Sequence, residues 1–169
     1  MEVRSRRAGD VEDVTHLAEA VRGLDGYPPR SPDLFDGPEM LAAWVALGDG
    51  VVIGHVALHR TSAEPVMTLA SRATGWPPGQ LAVVARLLVA PTIRRRGVGR
   101  LLLGHAVAEA HARGRWPVLD VAARFGAAVA LCDSCGWTPA GPVTFLFRDG
   151  TTMREADSLV YLGPRPPDQ

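Results

Sequence analysis

Between Leu81 and Leu103 the chain passes through an apolar stretch, a proline, an arginine-rich turn and a leucine-rich stretch. Few folds accommodate that order. Leu81 to Val89 reads as an apolar strand that stops at Pro91, and a helix is expected from about Val98. Between them lies Arg94-Arg95-Arg96-Gly97-Val98-Gly99-Arg100. Gly97 and Gly99 remove side chains where the backbone must pass close to a partner, and they permit dihedrals that other residues avoid. The first turn of the helix presents unpaired N–H groups at the positive end of its dipole. With Arg94, Arg95, Arg96 and Arg100 around it, this turn is an anion site suited to a diphosphate.

Spacing narrows the choice of diphosphate. The G-x-G-x-x-G of dinucleotide folds and the G-K-[ST] of nucleotide hydrolases are both absent. The pattern R-x-x-G-x-G, from Arg94 to Gly99, follows Val89-Ala90-Pro91 and precedes a leucine-rich helix. It resembles the acetyl-CoA signature of the GNAT superfamily of N-acetyltransferases. A second stretch agrees. Relatives often read L-x-V-x-x-x-N-x-x-A-x-x-L-Y-x-x-x-G-[FW]; this chain has Leu119, Val121, Phe125, Ala128, Leu131, Cys132, Gly136 and Trp137 at those spacings. Phe125 replaces the usual asparagine, and Cys132 replaces a tyrosine that often protonates the departing CoA thiolate.

The resemblance implies an α/β GNAT fold, with a mixed central sheet of about six to seven strands and flanking helices. It implies acetyl-CoA as donor, no metal, and direct attack by a primary amine in a ternary complex. Contacts to CoA are expected from Leu87, Leu88, Val89, Arg94, Arg95, Arg96, Gly97, Val98, Gly99, Arg100 and Phe125. A small-molecule amine is the expected acceptor. Acetylation of a protein or peptide amine, and a CoA-binding module with little catalysis, stay open.

At 169 residues the chain is expected to form one domain over residues 1–163, with 164–169 as a frayed tail. Its formal net charge is zero, so no global field draws it to nucleic acid or an anionic membrane. All 18 basic residues are arginine, which reads as GC-rich coding bias and lowers the weight of any one arginine cluster. No stretch has the length and apolarity of a membrane span, and Met1 to Arg7 lacks a signal-peptide core. A cytoplasmic bacterial protein, with a homodimer as one option, is the expectation. Cys132 and Cys135 form a C-x-x-C, but two further zinc ligands are not evident. The pair sits at a helix C-terminus beside Asp133, where the dipole disfavours a redox thiolate.

In chain order, Glu2 to Arg6 reads as a short strand. Asp10 looks like an N-cap for a helix over Val11 to Arg22, ended by Gly23 and Gly26. Tyr27-Pro28-Pro29-Arg30-Ser31-Pro32 excludes regular structure, and Tyr27 and Arg30 are candidate acceptor contacts, Arg30 for a carboxylate or phosphate. Met40 to Leu47 and Val51 to Leu58 flank Gly48-Asp49-Gly50, a hairpin signal. Residues 61–79 read as an insertion with a short helix ending at Gly75, expected to cover the acceptor site or make a dimer contact. A helix from Val98 to Arg113, a strand from Trp116 to Ala122 and a helix from Gly126 to Cys135 follow. Val143 to Phe147 and Ser158 to Leu162 close the sheet.

Acetyl transfer requires a neutral amine, a polarised thioester carbonyl and a proton for the sulfur. Main-chain N–H groups near Leu88 and Val89 can serve the carbonyl if the strand splays from its neighbour, as the resemblance implies. No acid lies between Leu81 and Val89. The candidate bases are Asp120, an acid in an apolar strand, and His55 or His59, whose intrinsic pKa suits the task; a chain of water is the alternative. Cys132 is the candidate acid, or a space-filling residue.

Overall fold

The computed structural model describes residues 1–168. Seven strands form one mixed sheet: β1 Glu2–Ser5, β2 Met40–Gly48, β3 Val51–His59, β4 Leu81–Val89, β5 Trp116–Ala122, β6 Thr138–Asp149 and β7 Thr152–Leu162. Their order is β1-β2-β3-β4-β5-β7-β6. Only β4 and β5 run parallel, joined through α3 (Val98–Ala112). Every other neighbouring pair is antiparallel.

Strand alternation sends side chains to two helical layers. On one face α3 and α4 (Gly126–Ser134) cover Trp44, Ala46, Val56, Leu58, Ala82 and Val84. On the other, α1 (Val11–Asp25) packs on Val45 and Leu88. Beside it α2 (Glu64–Thr74) packs on Leu81, Val83, Val118 and Val160. The helix within residues 61–79 therefore belongs to the core: Val66, Met67 and Ala70 are buried against the sheet.

Several local expectations change in the fold. Gly23 lies within α1, which ends at Gly26 (φ 73°), the conformation a Cβ disfavours. The Asp10 side chain makes no cap bond to α1. It accepts two bonds from the Arg4 guanidinium (2.7 and 2.9 Å) and one from the Arg7 N–H (2.7 Å). β6 and β7 are longer than the apolar runs that announce them, because Phe145↔Ala156 through Asp149↔Thr152 continue the ladder as a projecting hairpin. The segment after Gly163 packs where fraying was expected. Trp116 Nε1–H donates to Gly163 O (2.8 Å), Pro166 is buried, and the Arg165 guanidinium lies 5.9 and 5.8 Å from the Trp76 and Trp116 ring centres.

Candidate active site

β4 and β5 pair only at Leu81↔Trp116, Ala82↔Pro117 and Val83↔Val118. Beyond that point Val84–Val89 and Leu119–Ala122 diverge, and a wedge-shaped gap opens in the middle of the sheet. The splay implied by family resemblance is thus a feature of this chain. On its other side β4 stays paired with β3, with one irregularity. His55 faces Leu88 and Ala57 faces Ala85, so Arg86 and Leu87 together oppose Val56. Arg86 takes the left-handed conformation, φ 53°.

His55 fixes this bulge. The fully buried ring has Nδ1 2.9 Å from Arg86 O and Nε2 3.1 Å from Arg6 Nη1. A guanidinium only donates, so Nε2 accepts and Nδ1–H donates to the carbonyl. Burial, aided by the nearby Arg6 and Arg86 charges, pushes the ring pKa down to about 4. Both ring nitrogens are engaged, so His55 is not available as the base expected of it. His59 is likewise pushed down to about 4, chiefly by burial.

Ala90 N–H donates to Ile53 O (2.9 Å), so by strand alternation the Val89 N–H points away from β3, towards the opened edge. The Leu88 side chain is 1% exposed beneath α1, which leaves only its main chain for a ligand. Leu87 and Val89 pack from the α3 side.

The arginine turn follows. Gly97 precedes α3 at φ 83°, and nothing lies within 4 Å of where its Cβ would sit. The first bond into α3 is Leu101 N–H to Gly97 O, so the N–H groups of Val98, Gly99 and Arg100 precede the helical ladder. Arg95 and Arg96 are exposed beside them. A hollow of about 490 Å³ continues along α3 past Arg100, Leu101 and Gly104 to His105. Free N–H groups, a helix start and unpaired arginines fit a diphosphate.

Three residues of this stretch act differently from expectation. Arg94 is bound to Asp25 of α1 (2.6 Å) and adds no free charge. Arg100 donates to Ser134 Oγ of α4 (2.8 Å). Gly99 faces inward: a Cβ there would lie 3.3 Å from Leu131 Cδ2 and 3.7 Å from Val89 Cγ2. Its missing side chain lets α3 approach α4 and β4, not a ligand. Phe125 caps the start of α4, with the Arg124 guanidinium 4.7 Å over its ring and Tyr27 edge-on at 6.3 Å.

On the α1–α2 face, Asp120 lies just past the last β4–β5 pair, on the same side of β5 as Val118. The Ser158 and Ser62 hydroxyls and the Arg86 guanidinium act on its carboxyl and favour the ionised form. Burial outweighs them and raises the pKa. Arg30 is engaged elsewhere. Its N–H donates to Asp149 Oδ1 (2.8 Å), and its carbonyl accepts from Gly150 N–H (2.8 Å). These bonds join the segment after α1 to the β6–β7 turn, and the Arg30 side chain points outward, 65% exposed.

Cys132 is buried in the apolar cluster that includes Trp137 and Tyr161. Burial, then Cys135 and Asp133, pushes its thiol up to about 11, so it stays protonated. Tyr161 O–H donates to Asp133 Oδ1 (3.0 Å). The feature that sequence reasoning passed over is Arg86. Its signal was a lone charge in an otherwise apolar strand.

Residues 12–137 match the model of the acetyltransferase (GNAT) family. No curated protein matches the sequence. Among solved structures the fold resembles the ribosomal-protein-S18-alanine N-acetyltransferase from Escherichia coli, with TM-score 0.66 and 20% identity over 95% of this chain and 92% of that one. It also resembles a ribosomal-protein-alanine N-acetyltransferase from Brucella melitensis, with TM-score 0.70 and 19% identity over 96% and 99%. Arabidopsis thaliana NAA60 in complex with acetyl-CoA gives TM-score 0.69 and 18% identity over 96% and 97%.

Proposed function

We propose that this chain, which belongs to the GNAT acetyltransferase family, moves the acetyl group of acetyl-CoA to the primary amine of a small molecule. The observation that carries the small-molecule reading is the closure of the acceptor side. The Arg30 N–H donates to the Asp149 carboxylate and the Arg30 carbonyl accepts from Gly150 N–H, which ties the segment after α1 to the β6–β7 turn where an extended peptide would have to pass.

When bound, acetyl-CoA supplies the thioester carbonyl on which the amine forms its C–N bond as the C–S bond breaks. The turn at Gly97, with its free N–H groups and Arg95 and Arg96, holds the pyrophosphate. The Val89 N–H, aimed into the gap, is suited to polarise a carbonyl there. Asp120 takes the proton that the attacking nitrogen gives up, directly or through a water. Cys132 is packing, so the departing sulfur takes its proton from water. Phe125 and Tyr27 form an aromatic wall beside the start of α4. Holding both reactants in one gap supplies much of the acceleration.

An acetyl-CoA consumption screen over amino acids, polyamines, aminoglycosides and short peptides tests this. Small amines are expected to show a kcat/KM at least tenfold above any peptide. A peptide or protein amine as the preferred acceptor would replace the small-molecule reading.

A further inference from the structure

Two opposite charges stand unpaired on the acceptor side of the gap. Among the described residues, the Arg86 guanidinium makes one hydrogen bond, from Nε to Leu34 O at 3.3 Å, and forms no ion pair within 4.0 Å. Both terminal nitrogens remain free. Asp120 likewise forms no ion pair; the hydroxyls of Ser62 and Ser158 flank it. A partly buried charge without a partner is costly, so a chain that keeps two of opposite sign apart has a reason beyond packing.

The Arg86 charge acts on the Asp120 carboxyl, and both residues stand where the sheet opens. Each lies just past Val83↔Val118, the point where β4 and β5 part. Each belongs to the α1–α2 face: Asp120 by alternation from Val118, Arg86 by reaching Leu34 on the segment after α1. Arg86 is also held in place. Its backbone is left-handed (φ 53°), and its carbonyl is clamped by the His55 Nδ1–H. A main chain fixed in a conformation that a Cβ disfavours fixes the direction in which the side chain sets out. Arg6, the neighbouring cation, is already used: it donates to Phe35 O, Asp36 and His55. Pinning the segment after α1 needs only the Arg86 Nε–H, which leaves the planar pair of terminal nitrogens, the geometry that grips a carboxylate side-on.

We propose that the acceptor carries a carboxylate beside its amine, as an amino acid does, with Arg86 binding the carboxylate and Asp120 facing the amine. This rests on the acetyl-transfer reading of the same gap. It makes Arg86 a specificity residue: an amine without the anion would leave the guanidinium unpaired.

The test compares initial rates of acetyl-CoA consumption for a set of amino acids with those for the matching amino acid amides and decarboxylated amines. The acids are expected to exceed their amides at least tenfold in kcat/KM, mainly through KM. Arg86→Gln should bring the ratio to within about threefold of unity, chiefly by raising KM for the acids. Arg86→Lys, which keeps the charge but loses the planar grip, should recover part of the preference. CoA affinity measured by calorimetry should be unchanged in both. Equal rates on acids and amides in the wild type, or a preference for polyamines or amidated peptides, overturns the proposal and leaves acetyl transfer standing. An undiminished preference in folded Arg86→Gln overturns the assignment to Arg86. If CoA binds but no amine of any class is acetylated, the acetyl-transfer reading falls too. Should Arg86→Gln not fold, the wild-type comparison of acids with amides still decides the substrate class.

Discussion

His55 and Asp120 share a face of the sheet, and burial acts on both in the same sense, by favouring the uncharged form. For His55 that means a pKa of about 4, a neutral ring and two engaged nitrogens, so the residue is structural. For Asp120 it means a carboxyl raised above the ordinary range, flanked by hydroxyls and not by an ion-pair partner, which makes it a better proton acceptor than a solvated aspartate. Asp120→Asn should lower kcat at least tenfold, shift the acidic limb of the pH–rate profile and leave CoA affinity within twofold. Stability should respond in the opposite direction. A carboxyl with a raised folded pKa opposes folding once pH passes its unfolded value, so the amide should raise Tm at pH 7 and leave it unchanged at pH 3. A variant with wild-type rate and profile would return Asp120 to a structural role. Cys132 offers the converse case. Its thiol lies in the apolar cluster with Trp137 and Tyr161, so Cys132→Ala should cost about 1–2 kcal/mol of stability and change kcat less than twofold. A tenfold loss of kcat with folding intact would make it the acid.

At the turn from β4 into α3, two glycines do different work. Gly97 needs its left-handed φ of 83° and opens onto the free N–H groups; Gly99 sits against Leu131 and Val89. Gly97→Glu should abolish CoA binding, through strain at a positive φ and through repulsion of the pyrophosphate, at a stability cost of only about 1 kcal/mol. Gly99→Val should instead lower Tm by wedging α3 from α4, whatever it does to CoA. Thermal unfolding beside calorimetric titration with CoA separates the two, and a Gly99→Val protein as stable as the wild type would refute the packing role. This element was the most legible part of the sequence, because strand, proline, arginine turn and helix are all local signals. The same locality hid the rest. Nothing in the spacing of Gly97-Val98-Gly99 tells which glycine faces a ligand, since that depends on α4, about thirty residues on. The bulge at Arg86 was equally silent: it arises from the pairing with His55 and Ala57 across the β3–β4 connection, which strand periodicity does not record.

Over the whole molecule, the contacts that sequence could not foretell are the ones that tie the segment after α1 to the sheet. Arg6 just after β1, His55 from β3 and Arg86 from β4 are bonded in series, and Phe35 and Leu34 of the segment after α1 accept from its two arginines. Alternating apolar residues announced the strands, and the Pro-rich run announced the loop. Which loop carbonyl meets which arginine is settled only when four distant segments fold together. This series sets the pH at which the fold weakens. His55 and His59 titrate near 6.5 when unfolded and about 4 when folded. Between those values the unfolded chain binds protons that the folded one refuses, so stability falls as pH drops through that window and levels off below it. For fully buried His55 the loss is about 3 kcal/mol, by the free energy equivalent of the shift. Asp10, held down to about 2 by Arg4 and the Arg7 N–H, adds a second loss at lower pH, from its unfolded value near 3.8 down to about 2. Urea unfolding at pH 7, 5.5, 4 and 3 should therefore show two successive declines. His55→Gln supplies a donor for Arg86 O and an acceptor for Arg6 without a titrating ring, and it should shrink the upper decline to the His59 share while leaving the lower one in place. An upper decline that keeps its full size in His55→Gln would show that the buried ring does not set the acid stability of the fold.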